Sequence, residues 1–140
     1  MDFKKIIFLS TPHTYSAINF LYPLVKAYKI ASPHITNDSF VKQVVRRKKP
    51  IIASTGSIKR AVGVASKKEI EHFLTLVDYK NLLLMYCISK YPCYKFDTNH
   101  FTKFMEEYFY IPIGMSCHSS EIDFSINAVK MGVCAVEKHI

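Results

Sequence analysis

The last nine residues of the sequence, Gly132-Val133-Cys134-Ala135-Val136-Glu137-Lys138-His139-Ile140, are the most informative about the fold. They form an apolar, strand-like run that delivers polar, reactive side chains at its carboxyl end. Earlier apolar runs end in the same way, at Ser10-Thr11-Pro12, Lys29-Ile30-Ala31-Ser32, Ser54-Thr55-Gly56, Tyr86-Cys87-Ile88-Ser89 and Ser116-Cys117-His118. Parallel α/β enzymes build their sites at the carboxyl ends of their strands. The pattern therefore predicts a parallel α/β fold with a functional site along one edge of the sheet.

Strand-like runs alternate with helical patterns along the chain. The runs lie at residues 5–9, 27–31, 50–53, 81–86, 111–115 and 133–138. Helical patterns lie at 16–24, 37–47 and 120–131, and others begin after Ser66 and at Thr98 or Asn99. Ser66 with Glu69 three residues later is the signature of a capping box. This alternation is the spacing of βαβ units, and continuously apolar strands indicate a parallel sheet covered on both faces.

We therefore interpret residues 1–140 as a single α/β domain, a partial (β/α)₈ TIM barrel of about six parallel β/α units. A complete barrel has eight strands and roughly 250 residues, so either the sheet is open or two units are missing. Ile122, Ile126 and Val129 are expected to face the core from the last helix. Cys134 is expected to be a small core residue.

The charge of the chain is strongly basic, with 19 Lys and Arg residues, 11 Asp and Glu residues and a formal net charge of +8. Such an excess favours anionic ligands. Much of it lies in Arg46-Arg47-Lys48-Lys49, which we interpret as a solvated helix end, where the helix dipole favours cations. The run lacks the aromatic interleaving and the recognised module of a nucleic-acid surface, so no nucleic-acid partner is expected.

The sequence shows neither a signal-peptide pattern nor an apolar run long enough to span a membrane. Its four cysteines include no CxxC pair, so a zinc knuckle is not indicated. Free thiols are typical of a reducing cytoplasm. We therefore expect a cytoplasmic protein without a membrane partner.

Two histidines follow neighbouring strands, His118 after the fifth and His139 after the sixth. In a parallel barrel both imidazoles reach the same rim, close enough to share a metal ion. A single rim histidine is more often a hydrogen-bonding residue. Glu137 precedes His139 by two positions, so its side chain points the same way along the strand. It could serve as a ligand, a base or an orienting group.

An ammonium group and several hydroxyls also fall at strand ends, on Lys29, Ser32, Ser54, Ser89 and Ser116. Converging there, they suit a phosphate or carboxylate ligand. Each serine taken alone is equally well explained as a turn or cap residue. Tyr91-Pro92, after the fourth strand, forms either a pocket wall or a rigid turn.

Six blocks of residues match the sequence pattern of a known family. The matching blocks are Ser10-Thr11-Pro12, Ala27-Tyr28-Lys29-Ile30-Ala31-Ser32, Lys49-Pro50-Ile51-Ile52-Ala53-Ser54-Thr55-Gly56, Cys87-Ile88-Ser89-Lys90-Tyr91-Pro92, Ile113-Gly114-Met115-Ser116-Cys117-His118 and Glu137-Lys138-His139. In this order, from about Phe8 onward, the chain resembles the N-acetylneuraminate (sialic acid) synthase family.

The resemblance implies a TIM barrel that condenses phosphoenolpyruvate with an N-acylated aldose such as N-acetylmannosamine, giving a nonulosonic acid and phosphate. It implies a divalent metal, Mn²⁺ or Mg²⁺, held by His118 and His139, which polarises the sugar aldehyde. It places Glu137 near the metal water, in a catalytic role, and Tyr91 near the sugar. The positions that match the family's phosphoenolpyruvate contacts are Thr11, Lys29, Ser32, Ser54, Ser89 and Ser116.

The chain departs from the family pattern at three places. Cys117 replaces an Asp, Tyr86 replaces a His, and Pro33-His34 replaces a Gly followed by an acidic residue. The family's first two strands, with a Lys, a Glu and an Asn of the site, have no counterpart, nor has its C-terminal antifreeze-like domain. The chain by itself is therefore expected to be inactive.

Two hypotheses follow from these departures. The protein is either a synthase-like enzyme or a non-catalytic, truncated remnant of the family with a structural or partner-binding role. Because an isolated segment exposes unpaired strand edges, we expect a homo-oligomer or a partner chain that completes the barrel.

Overall fold

The computed structural model describes residues 6–56, 64–89, 93 and 96–138. Its centre is a five-stranded, entirely parallel sheet in sequential order, which curls into a half-barrel. The strands are β1 (Tyr28–Ile30), β2 (Ile51–Ser54), β3 (Leu82–Cys87), β4 (Ile113–Cys117) and β5 (Ala135–Lys138). The α-helices are α1 (Tyr15–Leu21), α2 (Asp38–Val45), α3 (Lys67–Leu76), α4 (Thr98–Glu107) and α5 (Asp123–Lys130). The predicted alternation of parallel strands and helices is confirmed.

The first predicted strand is not formed. Residues 6–9 adopt no regular structure, and Ser10 makes only an isolated parallel bridge to Tyr28. The side chains of Ile6 and Ile7 are 96% and 66% exposed, because no helix or strand of the described residues covers them. Apolar composition alone therefore did not make this run a strand, and the described sheet has five strands where we predicted six.

The helix starts follow local signals. Asn37 accepts a hydrogen bond from the Phe40 N–H at the start of α2. Ser66 and Glu69 form the predicted capping box at the start of α3. Both caps satisfy N–H groups that would otherwise lack partners at a helix start. These local bonds explain why the two helices begin where the sequence predicts.

The core lies between the outer face of the sheet and the helices. Tyr28, Leu84, Phe73 and Phe101 are among its fully buried side chains. No helix among the described residues is long and apolar enough to cross a membrane.

Helix α5 turns a different face to the sheet than predicted. Ile122, Ile126 and Val129 are 65%, 42% and 56% exposed, whereas Ser125 and Ala128 are buried. Small side chains allow the helix to lie close to β4 and β5, which leaves the larger ones outside. The prediction that the three aliphatic residues face the core was wrong.

The same end of the sheet exposes Cys134, which we predicted in the core. Strand β5 is the last strand of the described sheet, and Cys134 lies just before it. Among the described residues no element packs beyond this edge, and the thiol is in contact with solvent. Cys134 Sγ donates to the Ile113 carbonyl oxygen at 3.2 Å.

The basic run is only partly the solvated helix end that we predicted. Arg46 and Lys48 are exposed, but Lys49 Nζ donates to the Val25 carbonyl oxygen at 2.6 Å. The guanidinium of Arg47 donates to the side chain of Asn19 in α1. Two of the four cations thus fasten α1 and the loop after it to the rest of the domain.

Candidate active site

Strand register decides which side chains enter the concave face. Lys29 lies beside Ile52, which lies beside Leu83. Toward the carboxyl ends, the next row contains Ser54, Met85, Gly114 and Ala135, and the row beyond it contains Cys87, Ser116 and Glu137. Because side chains alternate between the two faces of a strand, all of these residues face inward. Four of the predicted site residues therefore share the inner face, namely Lys29, Ser54, Ser116 and Glu137.

A cleft of about 480 Å³ opens on this inner face. Its apolar walls include Ile52, Leu83 and Met85, and its polar lining includes Thr11, Lys29 and Glu137. A mostly apolar cleft with a few convergent polar groups is the usual form of a small-molecule site. The lack of a side chain at Gly114 makes room for the side chain of Met85, since a Cβ at Gly114 would lie 3.0 Å from Met85 Cε.

Two of the charged groups that line the cleft form an ion pair. Lys29 Nζ lies 2.8 Å from both carboxylate oxygens of Glu137. The two side chains are 19% and 33% exposed, so the pair is partly shielded from water. It places an ammonium group, which forms charge-assisted hydrogen bonds with anions, in the lining of the cleft.

A second cluster lies at the carboxyl ends of β1, β2 and β3. Ser32 Oγ accepts a hydrogen bond from the Gly56 N–H at 3.0 Å and donates to Cys87 Sγ at 3.5 Å. Ser89 Oγ is 3.9 Å from the same sulfur. The structure thus brings the predicted residues Ser32 and Ser89 together. Gly56 and Cys87 were not predicted as site residues, although both belong to the polar blocks that end β2 and β3.

Two further predicted hydroxyls are buried. Ser54 and Ser116 are 2% and 3% exposed. Among the described residues, the Ser54 hydroxyl has no hydrogen-bond partner. A buried hydroxyl without a partner is costly and is rare in folded proteins. Since Ser54 faces the inner side of the sheet, a bound ligand is one group that would satisfy it.

His118 is oriented as a metal-binding imidazole would be. It is 9% exposed, and its Nδ1–H donates to the Ile88 carbonyl oxygen at 2.8 Å. This bond fixes the tautomer and leaves Nε2 as the nitrogen that carries the lone pair, which is the usual arrangement for metal-ligating histidines. Within the described ranges, no group of three or more His, Cys, Asp or Glu side chains could hold a metal ion. The predicted second ligand, His139, and the predicted sugar contact, Tyr91, lie outside the described residues.

Two of the departures from the family pattern face away from the cleft. Tyr86 is 1% exposed, packs on Phe101 and Phe104, and shares a hydrogen bond of 2.9 Å with His100 Nδ1. Burial raises the pKa of the Tyr86 hydroxyl. Cys117 belongs to the hydrophobic core cluster, on the opposite face of β4 from Ser116. Neither substitution therefore changes the lining of the inner face.

The third departure creates a pair of imidazoles. His34 Nε2 is 3.2 Å from His13 Nδ1, and the His34 ring stacks on Phe40 at a centroid distance of 4.2 Å. Burial, followed by the charge of His13, lowers the pKa of His34. The pair joins the segment that carries Thr11 to the loop that carries Ser32.

Comparison with known proteins places the chain in a family. The model of the NeuB family matches residues 1–140. An N,N'-diacetyllegionaminic acid synthase from Campylobacter jejuni is 33% identical over 142 residues, covering 96% of this chain and 40% of that protein. Its namesake from Legionella pneumophila is 36% identical over 138 residues, covering 96% of this chain and 38% of that protein. The chain thus spans about two-fifths of the length of these relatives.

A solved structure agrees with the sequence comparison. The N-acetylneuraminic acid (sialic acid) synthetase of Leptospira borgpetersenii, in complex with citrate, matches with a TM-score of 0.83 and 31% identity. The match covers 96% of this chain and 46% of that one. The resemblance to sialic acid synthases is therefore confirmed, and the chain belongs to the NeuB family.

Proposed function

We propose that this protein provides the barrel site in which phosphoenolpyruvate condenses with an N-acylated aldose, giving a nonulosonic acid and phosphate. Family membership supports this, as do relatives named as synthases of legionaminic and sialic acids. The observation that carries the proposal is that Lys29 and Glu137 line one cleft on the inner face of the sheet, which Ser54 and Ser116 also face. N-acetylmannosamine or a related N-acylated sugar is the acceptor that we propose. We also propose that residues 1–140 form a single domain of the barrel.

The anionic substrate is bound by cationic and hydroxyl donors. Lys29 supplies the ammonium, and Ser32 and Ser89 supply hydroxyls that already lie close to one another. Ser54, Ser116 and Thr11 are proposed as further contacts. Hydrogen bonds from such donors to a carboxylate or phosphate are charge-assisted and are roughly twice as strong as neutral ones.

In the reaction, C3 of the enolpyruvyl group forms a bond with the aldehyde carbon of the sugar. Water adds to C2, and the C2–O–phosphate linkage breaks with release of phosphate. Glu137 is the residue that we propose as catalytic, because its carboxylate lies in the cleft beside Lys29 and can accept a proton from the attacking water. The apolar walls of Ile52, Leu83 and Met85 limit the access of other water molecules to the reacting carbons.

The proposal includes a metal ion at the rim of the barrel. We propose that His118 and His139 hold a divalent ion, Mn²⁺ or Mg²⁺, and that Tyr91 contacts the sugar. The hydrogen bond from His118 Nδ1 to Ile88 supports this assignment, because metal-ligating histidines usually donate their other ring N–H to such an acceptor. When bound, such an ion would polarise the aldehyde as a Lewis acid.

Calorimetric titration of phosphoenolpyruvate into the purified protein, with and without Mn²⁺, tests the proposal. We expect saturable binding that weakens by about 10-fold or more in Lys29→Ala, because an ammonium contact to an anion is lost. His118→Ala is expected to remove only the dependence on Mn²⁺. A folded protein that binds no phosphoenolpyruvate under either condition would contradict the proposal and favour a non-catalytic role.

A further inference from the structure

Gly56 lies where three segments of the candidate site meet. It follows β2, is buried, and forms an isolated antiparallel bridge with Val64. Its N–H donates to Ser32 Oγ from the loop after β1, at 3.0 Å. The side chains of Ser89 and Cys87, from the end of β3, approach it from another side.

The absence of a side chain at Gly56 makes this meeting possible. A Cβ at this position would lie 2.5 Å from Ser32 Oγ, 3.0 Å from Cys87 Sγ and closer still to Ser89 Oγ. Contacts below 3.0 Å force the neighbouring atoms to move. The backbone of Gly56 is outside the left-handed region, so the requirement for glycine is one of space.

The N–H of Gly56 also sets the polarity of the Ser32 hydroxyl. A hydroxyl that accepts a strong bond from a backbone N–H turns its own proton outward as a donor. In the structure this proton is directed at Cys87 Sγ, at 3.5 Å. Sulfur is a weak acceptor, so a carboxylate or phosphate oxygen would replace it readily.

We propose that Gly56 is a positioning residue for the anion-binding site. Its N–H makes Ser32 a donor, and its missing side chain lets Ser32 and Ser89 hold one oxyanion group between them. The inference rests on the proposed function, in which that group is the carboxylate or the phosphate of phosphoenolpyruvate. The residue acts through the two serines and does not react.

The test is the variant Gly56→Ala, titrated calorimetrically with phosphoenolpyruvate and, separately, with inorganic phosphate. The added methyl group is expected to weaken the binding of both by about 10-fold or more, because the two hydroxyls are pushed apart. Thermal unfolding followed by circular dichroism verifies that the variant is folded. Unchanged affinity for both ligands in a folded variant would overturn the inference and leave the proposed function intact.

A double-mutant cycle separates positioning from general damage, including the case in which Gly56→Ala does not fold. Ser89→Gly removes the side chain that lies nearest to the added methyl group. We expect Gly56→Ala/Ser89→Gly to fold, since the shortest contact is relieved. Because only the displacement of Ser32 remains, Gly56→Ala should weaken phosphate binding less in the Ser89→Gly background than in the unaltered protein. Losses that multiply in the double variant would overturn the inference.

Comparing the binding of phosphate with that of phosphoenolpyruvate distinguishes the proposed function from the proposed role of Gly56. If the unaltered protein binds phosphate, weakened by Gly56→Ala, but not phosphoenolpyruvate, the proposed function falls and the role of Gly56 stands. If it binds neither ligand, both fall together.

Discussion

Lys29 and Glu137 are 108 positions apart in sequence, and their side chains join the two outermost strands of the described sheet. In a flat sheet these strands would lie about 19 Å apart, four spacings of about 4.8 Å, which is too far for the two side chains to meet. Their bonds of 2.8 Å therefore reflect the curl of the sheet. The same curl encloses the cleft, so one ion pair relates the architecture to the candidate site.

The pairing also has a consequence for binding, because the carboxylate of Glu137 occupies the position beside Lys29 that a substrate anion would take. Glu137→Gln is expected to tighten the binding of phosphoenolpyruvate by about 2- to 5-fold, since a partly exposed ion pair contributes roughly 0.5–1 kcal/mol. Calorimetry measures this effect.

The control for this variant is Glu106→Gln, which removes the same charge from an exposed position on α4. It is expected to leave the affinity for phosphoenolpyruvate unchanged. Weaker binding in Glu137→Gln would show that the carboxylate supports the anion site and does not compete for it.

Substitution of Ser54 is expected to change the stability of the protein and its affinity for phosphoenolpyruvate in opposite directions. Its buried hydroxyl has no partner among the described residues, so Ser54→Ala is expected to raise the free energy of unfolding by about 1 kcal/mol. The same change is expected to weaken phosphoenolpyruvate binding, because one donor to the anion is lost. Urea unfolding and calorimetry measure the two effects.

Ser125→Ala is the matched control, since its hydroxyl on α5 is also buried without a partner in the described part of the chain. It is expected to stabilise the protein without affecting the ligand. A loss of stability in Ser54→Ala would indicate that the hydroxyl makes a structural bond, and equal binding in both variants would remove Ser54 from the site.

His34 makes stability depend on pH. Its pKa is lowered in the folded protein by burial and by His13, so the unfolded chain binds the proton more readily. The corresponding stability is present above the ordinary histidine pKa of about 6.5. It is lost as pH falls through the lowered folded pKa. Unfolding free energies measured between about pH 7.5 and 5 should therefore decrease toward acid.

In His34→Gln that acid loss is expected to be smaller, because glutamine does not titrate. An identical slope in His34→Gln would assign the pH dependence to other groups.

Features of the fold that depend on nearby residues could be predicted from the sequence more fully than features that depend on distant residues. The caps at Asn37 and Ser66 depend on neighbours a few residues away, so their patterns predicted the starts of α2 and α3. The parallel order followed from the recurrence of strand and helix. The exposure of Ile6 and the outward face of α5 depend on which surfaces are covered, and no local pattern records that.

In the candidate site, too, individual residues were predicted from the sequence, but the contacts between distant residues were not. Lys29 and Glu137 were predicted separately from their places at strand ends, but their direct bond depends on how strongly the sheet curls. The role of Gly56 required the positions of Ser32 and Ser89, which come from other strands.

The uncovered face of α5 and β5 leads to a prediction about association. Ile126, Val129 and Val136 are 42%, 56% and 38% exposed, and β5 is an edge strand of the described sheet. Apolar side chains beside an open edge favour pairing with another chain, so we expect concentration-dependent self-association in sedimentation velocity.

Ile126→Lys/Val129→Lys should shift the protein toward monomer, because each lysine would bring charge into the contact. Asn99→Lys, on the exposed side of α4, is the control. A monomer at all concentrations before substitution would rule out self-association and leave a different chain as the partner.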